Sequence, residues 1–109
     1  MALLTVIKEI DSAHGKKIHG HTFKIEVEFK GNVENNMVKN IDFHDIMSPI
    51  DEVINELDKK YIDEVINDRG TVENIAIYVI KKLKKLNGLS AVSVWEGKDK
   101  YVKIFSDEI

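Results

Sequence analysis

Three of the four histidines in this sequence, His14, His19 and His21, lie within eight consecutive positions. Neutral imidazole is a metal ligand, and three imidazoles with a fourth position left open make the ligand set of a catalytic zinc site, with Zn–N near ~2.0–2.1 Å. An ion held in that way polarises a substrate oxygen or acidifies a water molecule. His19 and His21 are two residues apart, so on a strand both rings point to one face. Gly15 to Ile18 joins the segment that ends at His14 to the one that begins at His19. A simple hairpin then sets His14 across from His19, and the three rings converge at one end of a sheet. Gly20, between two of the ligands, lets backbone or ligand approach closely. Any one of these histidines alone reads as an ordinary polar hairpin residue. Their clustering with matched parity favours the metal.

The elements that must carry this cluster follow from periodicity. Leu3 to Ser12 is rich in Leu, Val, Ile and Thr and reads as a strand with imperfect alternation and room for a bulge. From His19 to Lys30, His, Phe, Ile and Val alternate with Gly, Thr, Lys and Glu, the period-two pattern of a long strand with one wet face. Gly31-Asn32 and Asn35-Asn36 mark turns around the short apolar pair Met37-Val38. Helical spacing begins after Asp42, a good N-cap, with Ile46, Met47, Ile50, Val53, Ile54 and Leu57 on one face. Ser48-Pro49 interrupts that pattern: Pro49 either sits in the first turns or restarts the helix. Tyr61 to Ile66 is a helical extension or a separate short turn. Thr71 caps a second helix with Ile75, Ala76, Val79, Ile80, Leu83 and Leu86 on one face, stopped at Asn87-Gly88. Ala91 to Glu96 and Tyr101 to Phe105 are strand-like and form a hairpin across Gly97 to Lys100.

The expected fold is α+β: a four-stranded, mostly antiparallel sheet with two helices on one face, in the order β-β-α-α-β-β. Its two open edges and bare face predict a closed oligomer. A length of 109 residues predicts one domain over 1–109. The chain has no cysteine, which excludes disulfides, thiolate nucleophiles and cysteine-ligated zinc. With 16 basic and 19 acidic residues the net charge is −3, so no nucleic-acid or membrane partner is expected. The basic run Lys81 to Lys85 suits the end of a helix. No signal-peptide pattern and no run of ~18 apolar residues appears, so a cytoplasmic address is expected.

His19-Gly20-His21-Thr22-Phe23, preceded by Ser12-Ala13-His14, resembles the zinc signature of the 6-pyruvoyltetrahydropterin synthase family, which includes the 6-carboxytetrahydropterin synthases of deazaguanine (queuosine) biosynthesis. Further pieces follow in family order. Val38 to Phe43 resembles the "V-x-D-F" lead-in to the first helix, and Leu57-Asp58 the start of "L-D-H". Thr71 to Ala76 resembles "P-T-x-E-N-hydrophobic-A", and Val92 to Glu96 the "V-x-V-x-E" strand. The resemblance implies the tunnelling fold, a homotrimer or a homohexamer of two stacked trimers, with a pterin pocket at the subunit interface. It implies that zinc on His14, His19 and His21 binds the side chain of a dihydropterin. Glu96 would anchor the pterin ring, because a carboxylate accepts two parallel hydrogen bonds from a guanidine-like edge. Glu96 shares a strand face with Val92 and Val94, against a reading as a mere hairpin-end charge. Backbone around Thr71 and Val72 would add ring contacts, and Glu73 would support the pocket or favour the helix N-terminus by charge.

Three departures from the family pattern bear on the chemistry. The family's catalytic cysteine, four residues before the first histidine of "H-G-H", is replaced by Gly15. The "L-D-H" motif ends in lysine, as Leu57-Asp58-Lys59. The loop before "H-G-H" is short. Triphosphate elimination with tautomerisation needs a base near the substrate's side-chain carbons. Lys59, Asp58 or water acidified by the metal are the replacements. His44 reads as a surface or cap-proximal residue. The leading expectation is a zinc-dependent carbon–oxygen lyase acting on 7,8-dihydroneopterin triphosphate or a related reduced pterin. The alternatives are aldolase-like cleavage of the dihydroneopterin side chain and a non-catalytic zinc- and pterin-binding relative. Family members of the aldolase type carry an acid in the active-site loop, where this chain has Lys16 and Lys17.

Overall fold

The computed structural model describes residues 1–109. Strand β1 (Ala2–His14) and strand β2 (His19–Gly31) form a long antiparallel hairpin. A small hairpin, β3 (Val33–Glu34) with β4 (Met37–Val38), stands apart as its own two-stranded sheet. Helices α1 (Phe43–Leu57), α2 (Ile62–Ile66) and α3 (Val72–Leu83) follow. Strands β5 (Leu89–Glu96) and β6 (Tyr101–Phe105) complete a four-stranded sheet in the order β1-β2-β5-β6, with every neighbour antiparallel.

The alternation along β2 decides which face is covered. Phe23, Ile25, Val27 and Phe29 are fully buried on the inner face. They pack with Val6, Ile10, Val92 and Val94 against the apolar stripes of α1 and α3, including Ile50, Leu57, Ile75 and Val79. Burial of each such side chain favours folding by ~1.5–3 kcal/mol relative to exposure. The outer face carries no helix. There Trp95 stacks on Tyr101 at 4.2 Å, Lys24 lies 4.1 Å above the indole, and Lys103 pairs with Glu28 at 2.8 Å.

Four local expectations are refined. The ladder between β1 and β2 is unbroken; the bulge falls between Glu28 and Phe29, where β2 meets β5. The imperfect alternation of β1 comes instead from apolar residues on the uncovered face, Leu3 and Ile7, both more than half exposed. Of the two readings of Pro49 the first holds: it lies in the second turn of α1, which runs through it without a restart. The lost N–H bond falls on the carbonyl of exposed Asp45, while Ile46 and Ile50 bury the same face on either side of Pro49. Tyr61 to Ile66 yields a separate helix, because Lys59 takes a left-handed conformation (φ 57) and turns the chain off α1.

That turn has a second effect. The backbone N–H of Lys59 donates to Asp11 O at 2.8 Å, and Ala13 N–H donates to Lys60 O at 3.0 Å. The Ser12 hydroxyl donates to Leu57 O at 2.5 Å. Segment 57–61 thereby covers the edge of β1 next to the histidines. No helix is long and apolar enough to cross a membrane.

Candidate metal centre and adjoining cavity

His14 closes β1 and His19 opens β2 as direct partners across the ladder, with Ser12 opposite His21. The ring centroids lie 4.6 Å (His14–His19), 5.0 Å (His14–His21) and 4.9 Å (His19–His21) apart. One ligand nitrogen from each ring lies within 4.8 Å of the other two. An ion would draw them slightly closer, since its bonds are ~2.0–2.1 Å.

Main-chain carbonyls set the proton positions on two of the rings. His14 Nδ1 is 2.6 Å from Gly70 O, and His19 Nδ1 is 2.6 Å from Lys17 O. A carbonyl only accepts, so each Nδ1 donates and each Nε2 keeps its lone pair. His14 is 8% exposed, and its Nε2 is buried without a partner. An unsatisfied buried polar atom costs about 1–3 kcal/mol. A metal ion on that lone pair removes the deficit, so the donor set fits zinc.

Distant residues brace this end of the hairpin. The peptide unit at Gly15 is gripped from α2: Gly15 N–H donates to Asp63 Oδ1 at 3.0 Å, and the Tyr61 hydroxyl donates to Gly15 O at 3.0 Å. Desolvation raises the Tyr61 hydroxyl pKa, and the Asp63 and Glu64 charges add to this, which keeps it a donor. Gly70 packs into the same corner. A Cβ there would overlap Asp63 Oδ1 and would meet His14 Cβ at 3.0 Å and Ile62 Cβ at 3.2 Å. Asp63 and Gly70 escape sequence reasoning. Asp68-Arg69-Gly70 reads as a helix stop, and nothing local shows that Gly70 contacts a residue 56 positions away.

A cavity of about 640 Å³ opens beside His14 and is also lined by Thr71, Val72, Glu73 and Glu96. Strand β5 places Glu96 opposite Phe23, so its side chain shares the histidine face, and Glu96 Oε1 lies 3.7 Å from His21 Nε2. Thr71 caps α3, its hydroxyl accepting from Asn74 N–H at 3.1 Å. The fold thus brings His14, His19, His21, Glu96, Thr71 and Glu73 to one end of the sheet. Asp58 and Lys59 line up differently. The Asp58 carboxylate accepts from Asp11 N–H at 3.0 Å. Lys59 is exposed and borders a neighbouring cleft of about 540 Å³ that it shares with His21 and Thr22. His44 is exposed, and its backbone N–H donates to the cap Asp42.

An antiparallel sheet with helices on one face carries, at its end, three histidines that could hold a metal ion and a cavity sized for a small molecule, the outline of an α+β protein with a candidate metal site. The family model of 6-pyruvoyl tetrahydropterin synthase matches residues 5–107, and the chain belongs to that family. A Pyrococcus furiosus protein named "Dihydroneopterin monophosphate aldolase" is 35% identical over 99 residues, covering 82% of this chain and 84% of that one. An Archaeoglobus fulgidus protein named "Putative 6-carboxy-5,6,7,8-tetrahydropterin synthase" is 41% identical over 91 residues, covering 81% and 76%. The solved structure of Caenorhabditis elegans 6-pyruvoyl tetrahydropterin synthase superposes with a TM-score of 0.83 at 22% identity, over 95% of this chain and 94% of that one. The likeness establishes the tunnelling fold for this chain.

Proposed function

We propose that this chain is a zinc-dependent enzyme that shortens the side chain of 7,8-dihydroneopterin, or of its phosphate, by aldol-type cleavage. The observation that carries this reading is Gly15. It stands where the family's thiol is expected, its φ is +93°, and a Cβ there would lie 3.0 Å from His19 Cε1. The site therefore has a metal ligand set and lacks the side chain that elimination with tautomerisation requires, and a Cβ at Gly15 would press on the His19 ring from a strained backbone. Cleavage between the first two side-chain carbons does not need that thiol, although it too needs a group to take and return a proton, and the loop acid of aldolase-type relatives is absent here. A proton leaves the second carbon's hydroxyl, the carbon–carbon bond breaks, and the electron pair passes into the ring's C=N bond. Reprotonation of the first carbon gives a hydroxymethyl pterin, and a small aldehyde departs. The name of the 35% identical relative supports this order of preference.

In this reading His14, His19 and His21 hold zinc, which polarises the side-chain oxygens when bound. Glu96 accepts from the guanidine-like edge of the ring, backbone at Thr71 and Val72 contacts it, and Glu73 supports that wall. Lys59, beside His21 in the neighbouring cleft, is the group assigned to carry the proton, and Asp58 holds its turn against β1. The edge of β1 over residues 2–9 and the far edge of β6 are free to pair with further copies, which fits a homotrimer or a homohexamer. The second reading is the carbon–oxygen lyase acting on the triphosphate, favoured by the name of the 41% identical relative.

The test is to load the protein with zinc and offer dihydroneopterin, its monophosphate and its triphosphate, identifying products by mass. A hydroxymethyl pterin plus an aldehyde supports cleavage. Inorganic triphosphate supports the lyase. One zinc per chain with no turnover of any of the three removes the enzyme assignment.

A further inference from the structure

Cleavage by the aldol route moves protons at two different atoms. The hydroxyl on the second side-chain carbon must lose one, and the first side-chain carbon must gain one. A lysine ammonium only donates and an ionised carboxylate only accepts, so the two transfers call for two groups. Lys59 suits the transfer to carbon. The hydroxyl needs a carboxylate near the metal ligands.

Three carboxylates line the cavity beside His14: Asp63, Glu73 and Glu96. In the proposed reading Glu96 holds the pterin ring, and Glu73, in the first turn of α3, stands on the wall that the ring contacts. Asp63, in the first turn of α2, lies on the other side, against the Gly15 backbone. Its Oδ1 accepts from Gly15 N–H at 3.0 Å. A Cβ at Gly70 would overlap that oxygen and meet His14 Cβ at 3.0 Å, so the carboxylate and the first metal ligand flank one corner. Asp63 is half-buried and enters none of the ion pairs of the chain, which leaves its other lone pairs free to accept from a ligand. Lys59 borders the neighbouring cleft, beside His21. A carboxylate and a lysine thus reach the histidine cluster from two separate cavities.

We propose that Asp63 is the base of the cleavage and takes the proton of the hydroxyl on the second side-chain carbon. The electron pair of that O–H bond becomes the second bond of the departing aldehyde's carbonyl. The carbon–carbon bond breaks, and its pair passes into the ring's C=N bond. Lys59 then gives a proton to the first carbon. Asp63 releases its proton to solvent and Lys59 regains one, so both groups end as they began. The inference rests on the aldol reading above. A brace on Gly15 needs only an acceptor, which an amide oxygen also supplies; a base needs the carboxylate.

The experiment compares zinc-loaded wild type with Asp63→Asn. Each is given dihydroneopterin and its monophosphate, and the hydroxymethyl pterin formed is measured by mass. Each is also given the hydroxymethyl pterin itself in deuterium oxide. Deuterium entering its methylene group reports proton transfer at carbon without the hydroxyl step. Asp63→Asn should cleave at least about 100-fold more slowly than wild type. It should keep one zinc per chain, bind the hydroxymethyl pterin as wild type does, and exchange deuterium at the wild-type rate. Lys59→Ala should lose the exchange together with cleavage. Cleavage by Asp63→Asn at the wild-type rate overturns the assignment. Loss of cleavage and exchange in equal measure overturns it too, since that is the mark of a brace. If wild type cleaves neither pterin, the aldol reading itself fails, and Asp63 loses this role with it.

Discussion

The inner face of the β1–β2 hairpin changes character halfway along. From Phe23 to Phe29 it is covered by α1 and α3 and is fully buried and apolar. From Phe23 back to His19 the same face and parity carry imidazoles, and His19 itself is exposed. Phe23 stands at the boundary, its ring 5.1 Å from that of His14 and 5.7 Å from that of His21. One periodic pattern therefore serves two purposes, and helix cover decides which. The covered stretch contributes stability. The uncovered stretch is held by the Asp63 and Tyr61 side chains, which bond the Gly15 backbone, and by the Gly70 carbonyl, which accepts from His14 Nδ1 and leaves the Nε2 lone pair available.

Exchanging damage between the two stretches should separate stability from metal binding. Phe23→Ala removes a fully buried ring and should destabilise the fold by ~3–5 kcal/mol, measured by denaturant unfolding. Its neighbour in parity, His19→Ala, should leave the stability of the metal-free protein within ~0.5 kcal/mol. The same change should weaken zinc binding by more than about 100-fold in competition with a chromophoric chelator, since it removes a ligand outright. If His19→Ala unfolds the metal-free protein, or if Phe23→Ala leaves its stability untouched, the division of labour along β2 is wrong.

Bracing should give intermediate effects. Gly70→Ala drives a methyl group against Asp63 Oδ1 and His14 Cβ and should cost ~1–3 kcal/mol of stability. Zinc affinity should fall with it by ~10- to 100-fold, because Gly70 O orients His14. Asp63→Asn, which can still accept from Gly15 N–H, should retain zinc far better than Asp63→Ala. Equal losses in the two variants would show that the Gly15 contact does not matter. The smallest effect is expected at the detached β3–β4 hairpin. Met37→Ser, at a residue 63% exposed, should move stability by no more than ~0.5 kcal/mol and leave zinc affinity unchanged.

Much of this arrangement can be read without coordinates. Alternation from His19 to Lys30 identifies a strand and puts both histidines on one face, and the short connection sets His14 across from His19. Asp42 and Thr71 announce their helices because a cap needs only its own neighbours two or three residues on. The parity of Glu96 with Val92 and Val94 puts it on the right face. These features are local: a period, a cap and a turn depend on a handful of adjacent residues.

The tertiary structure decided what locality leaves open. Gly70 O reaches His14 from 56 positions away, and Asp63 reaches Gly15 from 48. Pro49 stays inside α1 because the apolar stripe on both sides of it is buried together, which outweighs one lost hydrogen bond. Asp58 and Lys59, adjacent in sequence, end up in different roles because Lys59 adopts a left-handed conformation where the chain docks on β1. Short-range patterning chooses the elements and their faces, since those follow from backbone geometry. Which side chain meets which carbonyl at the end of the sheet follows only from packing those faces in three dimensions.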